Sequence, residues 1–292
     1  MKALLLVLIT SLYLSASNGF VTPKELNALL ENKNLVLIDI TDKETYDAGH
    51  LPNASLANVD DFRKQVQKHQ LMKSSSEIEA IARSLGINND SIVVIYGHGK
   101  KKELLKSSYV ALSLIVNGAK NVSLLNGQYD DYAREFKVEK ETPKVKKGNF
   151  TAVYNPDILV DLEYVKSHIT KIPMLEARSP EYYYGTELSD GVQRAGHIPK
   201  AMSSFWKDKF NKDNTLRSKE DLDAIFMQGY ALQKEDEVIL YCTGGLEASM
   251  NWYILYQNMG LKHAKLYDAS MKEWGNRNDT PITKFKWETF TK

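Results

Sequence analysis

The chain has 292 residues, with 38 Lys plus Arg against 37 Asp plus Glu, a formal net charge of +1. That balance leaves no electrostatic footprint for a polyanion, so nucleic acid is set aside as the main ligand. An apolar fraction of 43% with 26% charged residues is that of an ordinary globular protein, and the length suits two cores rather than one.

The first segment reads as an export signal over residues 1–19. Lys2 gives a positive start, Ala3 to Leu14 is apolar apart from Thr10 and Ser11, and Ser15, Ala16 and Ser17 are small. The run is short for a bilayer span, and no later stretch approaches about 18 apolar residues. The expectation is a periplasmic or secreted protein with no stable membrane anchor after cleavage.

From residue 20 the chain alternates short β-branched runs with longer amphipathic ones. Val36 to Ile38, Ile92 to Ile95 and Val122 to Leu124 read as buried strands. Glu77 to Leu85 and Ser107 to Asn117 read as helices, with Gly118 a stop for the second. Lys137 to Asn149 is charged, aperiodic and contains Pro143, which is linker composition. Beyond it Val238 to Tyr241 and Lys265 to Tyr267 read as strands, and Ala248 to Met259 as a helix ending at Gly260. Strands alternating with helices imply α/β domains with mostly parallel sheets.

The two halves repeat. AGHLPNA (Ala48 to Ala54) matches AGHIPKA (Ala195 to Ala201), and SIVVIYG (Ser91 to Gly97) matches the strand ending at Cys242. His50 and His197 lie 147 residues apart, Gly97 and Cys242 145 apart. A duplication with one insertion in the second copy, around Gly185 to Gln193, accounts for this. The predicted division is 20–136 for the first domain, 137–151 for the linker and 152–292 for the second domain.

Cys242 is the only cysteine, so no internal disulfide can form. It ends a buried strand and is followed by Thr243, Gly244, Gly245, Leu246, Glu247 and Ala248, then a helix. A glycine-rich strand-to-helix turn can aim several backbone N–H groups at one point, and the helix N-terminus adds partial positive charge. This pattern predicts a thiol acidified below its free pKa of about 8.5, hence a nucleophile near neutral pH.

The segments LEARSPEYYYG, RAGHIPKA, YCTGGLEAS and LYDASMKEWGNRNDTPI resemble the rhodanese superfamily. The chain after its first segment resembles the tandem thiosulfate and mercaptopyruvate sulfurtransferases, with the weaker GHLPNA in the first half. The resemblance implies two tandem rhodanese-like domains, each a mostly parallel sheet flanked by helices. It also implies a covalent, two-step sulfur transfer through a persulfide on Cys242. A small sulfur donor and a thiol or cyanide acceptor would be the partners, with no metal or organic cofactor. Arg178 would bind the anionic donor and Arg194 would be a second anion contact. The loop residues Thr243, Gly244, Gly245, Leu246, Glu247 and Ala248 would cradle it. Gly97, standing where the first copy would carry its thiol, implies a non-catalytic first domain.

The loop also departs from the family. Glu247 stands where arginine or threonine is common, Gly244 where lysine or serine is common, Glu176 replaces an aspartate, and Ala269 and Met271 replace glycine and tryptophan. A carboxylate beside the cysteine opposes a dianion, so Glu247→Thr is expected to gain thiosulfate use. A phosphatase would need an arginine six residues after Cys242, where Ala248 stands. A sulfur carrier without fast turnover is the main alternative. The six histidines show no short ligand spacing, and His50 and His197 are expected to hold turns. Trp252, Tyr253 and Tyr256 recur at helical spacing and are expected in a core.

Overall fold

The structure, a computed structural model, describes residues 19–289. The expected export signal therefore lies outside the described residues except for Gly19. That residue belongs to the folded body, since its carbonyl accepts the Leu124 N–H at 2.9 Å.

The first half runs β1 (Phe20–Val21), α1 (Pro23–Leu29), β2 (Leu35–Asp39), α2 (Lys43–Ala48), β3 (Ser55–Leu56), β4 (Arg63–Val66), β5 (His69–Met72), α3 (Ser75–Ser84), β6 (Ile92–Tyr96), α4 (Lys101–Val116), β7 (Asn121–Leu125) and α5 (Gln128–Ala133). The second runs β8 (Leu159–Val160), α6 (Leu162–His168), β9 (Met174–Glu176), α7 (Pro180–Tyr184), β10 (Met202–Ser203), α8 (Lys219–Asp223), β11 (Val238–Tyr241), α9 (Leu246–Tyr253), β12 (Ala264–Tyr267) and α10 (Ser270–Trp274).

Each half forms a five-stranded sheet whose pairings are all parallel, ordered β1-β7-β6-β2-β3 and β8-β12-β11-β9-β10. The orders coincide strand for strand, so the duplication read from the sequence is a duplication of architecture. The central strands are apolar on both faces, as parallel strands covered by helices must be. Predicted helices form with shifted ends. α4 begins six residues before Ser107, and the helix after Cys242 passes from α9 into a π-helical stretch over Ile254–Asn258.

The GHxP turns are built alike. His50 Nδ1 pairs with the Tyr46 carbonyl at 3.0 Å and stacks on the Tyr46 ring, and His197 Nδ1 pairs with the Tyr183 carbonyl at 2.7 Å and stacks on the Tyr183 ring. Leu51 and Ile198 donate their N–H groups to the hydroxyls of Tyr96 and Tyr241, which end the two equivalent strands. Both histidines hold turns and sit away from the cysteine loop.

The segment read as a linker is pinned to the first domain. Glu139 pairs with His50, Gly148 donates to the Arg83 carbonyl and Phe150 to that of Ile87, and Phe150 is buried. The attachment continues through Val153 and Asn155, which donate to Asn117 and Val116.

The halves meet through α4 and α9. Tyr109, Leu112, Ala248, Trp252 and Tyr253 belong to one continuous apolar cluster, and Ser108 and Ser249 hydroxyls pair across the contact at 2.8 Å. Burying each large aliphatic or aromatic side chain there contributes about 1.5–3 kcal/mol. Among the described residues no helix is long and apolar enough to cross a membrane.

Candidate active site

β11 delivers Cys242 from the middle of its sheet to the interface between the halves. The following turn is held from outside by α10. Cys242 N–H donates to Ser270 Oγ at 3.1 Å, the Cys242 carbonyl accepts from Met271 N, and the Thr243 carbonyl accepts from Lys272 N at 2.9 Å. With its carbonyls drawn outward, the turn presents its N–H groups inward. Those of Gly245 (3.1 Å), Gly244 and Ala248 point at Cys242 Sγ.

The two glycines have separate causes. Gly245 has φ +93°, and a Cβ there would lie 2.4 Å from Asp268 Oδ1 and 3.1 Å from the Tyr109 ring. Gly244 leaves room for the stem of Lys272, whose Cδ would lie 3.4 Å from such a Cβ. The first domain grips the same turn. The Arg63 guanidinium donates to the Gly244 carbonyl and lies over the Tyr109 ring, and Asp268 accepts from Tyr109 OH and Met72 N, both at 2.8 Å.

One expectation is overturned. Cys242 is 1% exposed, and its thiol is pushed up to about 12, not acidified. Burial is the largest cause and the nearby Glu247 carboxylate the second; together they outweigh the three amides. Glu247 is itself raised by burial, although Arg178, a hydrogen bond with Cys242 and the Thr243 amide oppose the shift. At neutral pH Cys242 is therefore a thiol beside Glu247, inside a cradle already formed for a negative sulfur.

The loop residues Thr243, Gly244, Gly245, Leu246, Glu247 and Ala248 all surround the turn, with Leu246 half-buried against the core and Ala248 fully buried. Arg178 lies beneath it, 1% exposed. It is ion-paired with Glu176 and donates to Ser189 Oγ and the Gly196 carbonyl. Arg194 is not brought to the loop. Its guanidinium donates to the carbonyls of Trp274, Gly275 and Thr280, so it clamps the segment after α10. Tyr182 lies near Arg178, whereas Tyr183 is buried under His197.

Four residues at this site were not singled out beforehand: Ser270, Lys272, Ser189 and Arg63. The first two sit inside the quoted LYDASMKEW stretch, and Ser189 inside the insertion, so both segments carried a signal. Nothing in the local sequence marked Arg63. A cleft of about 650 Å³ opens beyond Asp268, lined by His69, Met72, Tyr164, Tyr267 and Glu273, but Cys242 is not on its wall.

In the first domain the equivalent turn is filled by its own carboxylate. Glu103 accepts from the N–H groups of His98 (2.9 Å) and Lys100 (3.2 Å), and a Cβ on Gly97 would lie 2.6 Å from Glu103 Cβ.

Two parallel sheets of identical order, with a cysteine cradled at the end of a central strand in one alone, define a duplicated α/β protein with a single cysteine turn. The Rhodanese-like domain family matches residues 22–135 and 161–277, and the chain belongs to it as a tandem member of the sulfurtransferase branch. It is 32% identical over 253 residues to the sulfur carrier protein TtuD of Thermus thermophilus, covering 82% of this chain and 87% of that one. It is 29% identical to a putative thiosulfate sulfurtransferase of Haloferax volcanii (86% and 88% covered) and 28% to the 3-mercaptopyruvate sulfurtransferase of Escherichia coli K12 (83% and 86%). In fold it is similar to YnjE, with a TM-score of 0.80 at 22% identity over 92% of this chain and 69% of that one.

Proposed function

We propose that this chain is an exported sulfurtransferase that carries sulfane sulfur as a persulfide on Cys242. The observation that carries the reading is the convergence of three main-chain N–H groups on the sulfur of the only cysteine. In the resting thiol these donors are under-used. In a thiolate or a persulfide anion each meets a full negative charge, where a charge-assisted bond is about twice as strong as a neutral one.

The first half-reaction begins once the thiol has lost its proton to solvent, leaving a thiolate that the turn amides hold. With thiosulfate as donor, the Cys242 thiolate attacks the outer sulfur. A bond forms between Cys242 Sγ and that sulfur, the donor S–S bond breaks, and sulfite departs with the electron pair. In the second half-reaction cyanide or a thiolate takes the outer sulfur and Cys242 leaves as the thiolate. The relatives named for thiosulfate and mercaptopyruvate support small anionic donors.

A second reading, a sulfur carrier loaded and unloaded by protein partners, draws on the buried, weakly acidic thiol and on the relative named as a sulfur carrier. One experiment addresses both. Intact mass is measured after incubation with thiosulfate, polysulfide or mercaptopyruvate, for the parent protein and for Cys242→Ser. Gain of one sulfur by the parent alone is expected; no gain from any donor removes the enzymatic reading. Loading without repeated turnover on any small donor favours the carrier.

A further inference from the structure

We propose that Lys272 is the residue that binds the anionic end of the sulfur donor. The inference rests on the sulfur-transfer reading above and names the donor class it favours: small donors whose transferable sulfur is attached to a negatively charged group, as in thiosulfate.

Both arginines that the sequence offers for this role are engaged elsewhere. Arg178 is sealed beneath the turn by Glu176, Ser189 and Gly196, and Arg194 is bonded to three carbonyls away from it. An anion approaching Cys242 also meets the Glu247 carboxylate, so a cation beside the turn is needed to offset it.

Lys272 is placed to supply that cation. Its own N–H holds the Thr243 carbonyl, which fixes its Cα against the turn. Its side chain crosses Gly244, passing 3.4 Å (Cδ) from where a Cβ would be, and continues to Gly191, where a Cβ would lie 3.3 Å from Cε and 3.9 Å from Nζ. Ser189, two residues before Gly191, faces Thr243 Oγ1 at 3.4 Å, so the stem bridges the two segments that flank the site. Two residues without side chains thus form a channel for the stem of Lys272, which is half-buried. Among the described residues its ammonium makes no ion pair. Arg63 holds the Gly244 carbonyl, so the residue the lysine lies against is also fixed by the first domain while its N–H faces the sulfur.

The test is thiosulfate titration by calorimetry into Cys242→Ser, which cannot react, and into the same protein carrying Lys272→Met or Lys272→Arg. The methionine variant is expected to bind about tenfold more weakly and with much less dependence on salt, and the arginine variant to keep most of the affinity. A melting temperature shared by all three excludes a folding effect. Unchanged affinity in the methionine variant, or no binding of thiosulfate to Cys242→Ser at all, overturns the proposal. Sulfur gain by the parent protein, read separately by intact mass, distinguishes this outcome from failure of sulfur transfer: a loaded Cys242 with lysine-independent binding sinks only the role of Lys272.

Discussion

Cys242 feels two opposed environments at once. The three N–H groups of its turn favour a negative sulfur, while burial and the Glu247 carboxylate favour the proton. The second pair prevails, so the thiol sits high and the turn gains its full electrostatic advantage only once the sulfur is charged. The sign of the Glu247 contribution is testable. Neutralising Glu247 removes a negative neighbour, lowers the thiol pKa and raises the thiolate fraction at any pH below it. Glu247→Gln is therefore expected to be alkylated by iodoacetamide severalfold faster at pH 8. The parent rate should keep climbing through pH 10 without a plateau near neutrality. A slower variant would mean that Glu247 assists deprotonation more than it opposes charge.

At the scale of elements, the unit strand–turn–helix occurs twice with different contents. β11–turn–α9 leaves its inward amides to a sulfur. β6–turn–α4 gives its amides to the Glu103 carboxylate, and Gln128 Oε1 accepts the Gly97 N–H at 3.0 Å. The first site is not merely missing a thiol; the space has been taken by an internal anion. Gly97→Cys in a Cys242→Ser background is accordingly expected to gain no sulfur from any donor. Its melting temperature should fall by several degrees, because a Cβ 2.6 Å from Glu103 Cβ forces repacking that costs about 1–3 kcal/mol. Sulfur on the new cysteine would show that Glu103 can be displaced.

For the molecule as a whole, the two domains share one apolar cluster through α4 and α9, and the active turn is completed by first-domain atoms from Arg63, Tyr109 and Met72. Neither half buries its interface helix alone. Calorimetric unfolding is expected to give a single transition with matching calorimetric and van't Hoff enthalpies. Two resolved transitions would mean that the shared cluster does not couple the halves.

Much of this was written locally in the chain. The strands β2, β6, β7, β11 and β12 are continuous apolar runs, legible because parallel strands are buried on both faces. The duplication shows in the paired GHxP turns, and the sulfur turn in a glycine-rich stretch before a helix. Helix ends were less legible: the start of α4 goes with Glu103 folding back onto the turn amides, and the helix after Cys242 passes into a π-helical stretch. The direction of the Cys242 shift was misread because burial and the approach of Glu247 depend on how the turn packs. Arg194, just before the GHIPKA stretch, was expected as a second anion contact, but the fold sends it to the segment after α10.

The sequence alone determined the period of the fold, the single thiol and its place at a strand end, since these follow from side-chain pattern and backbone conformational preference. Only the tertiary structure decided which charges surround that thiol. Electrostatic neighbours are set by distance in space, and Arg63 and Lys272 reach Gly244 from positions 181 and 28 residues away along the chain.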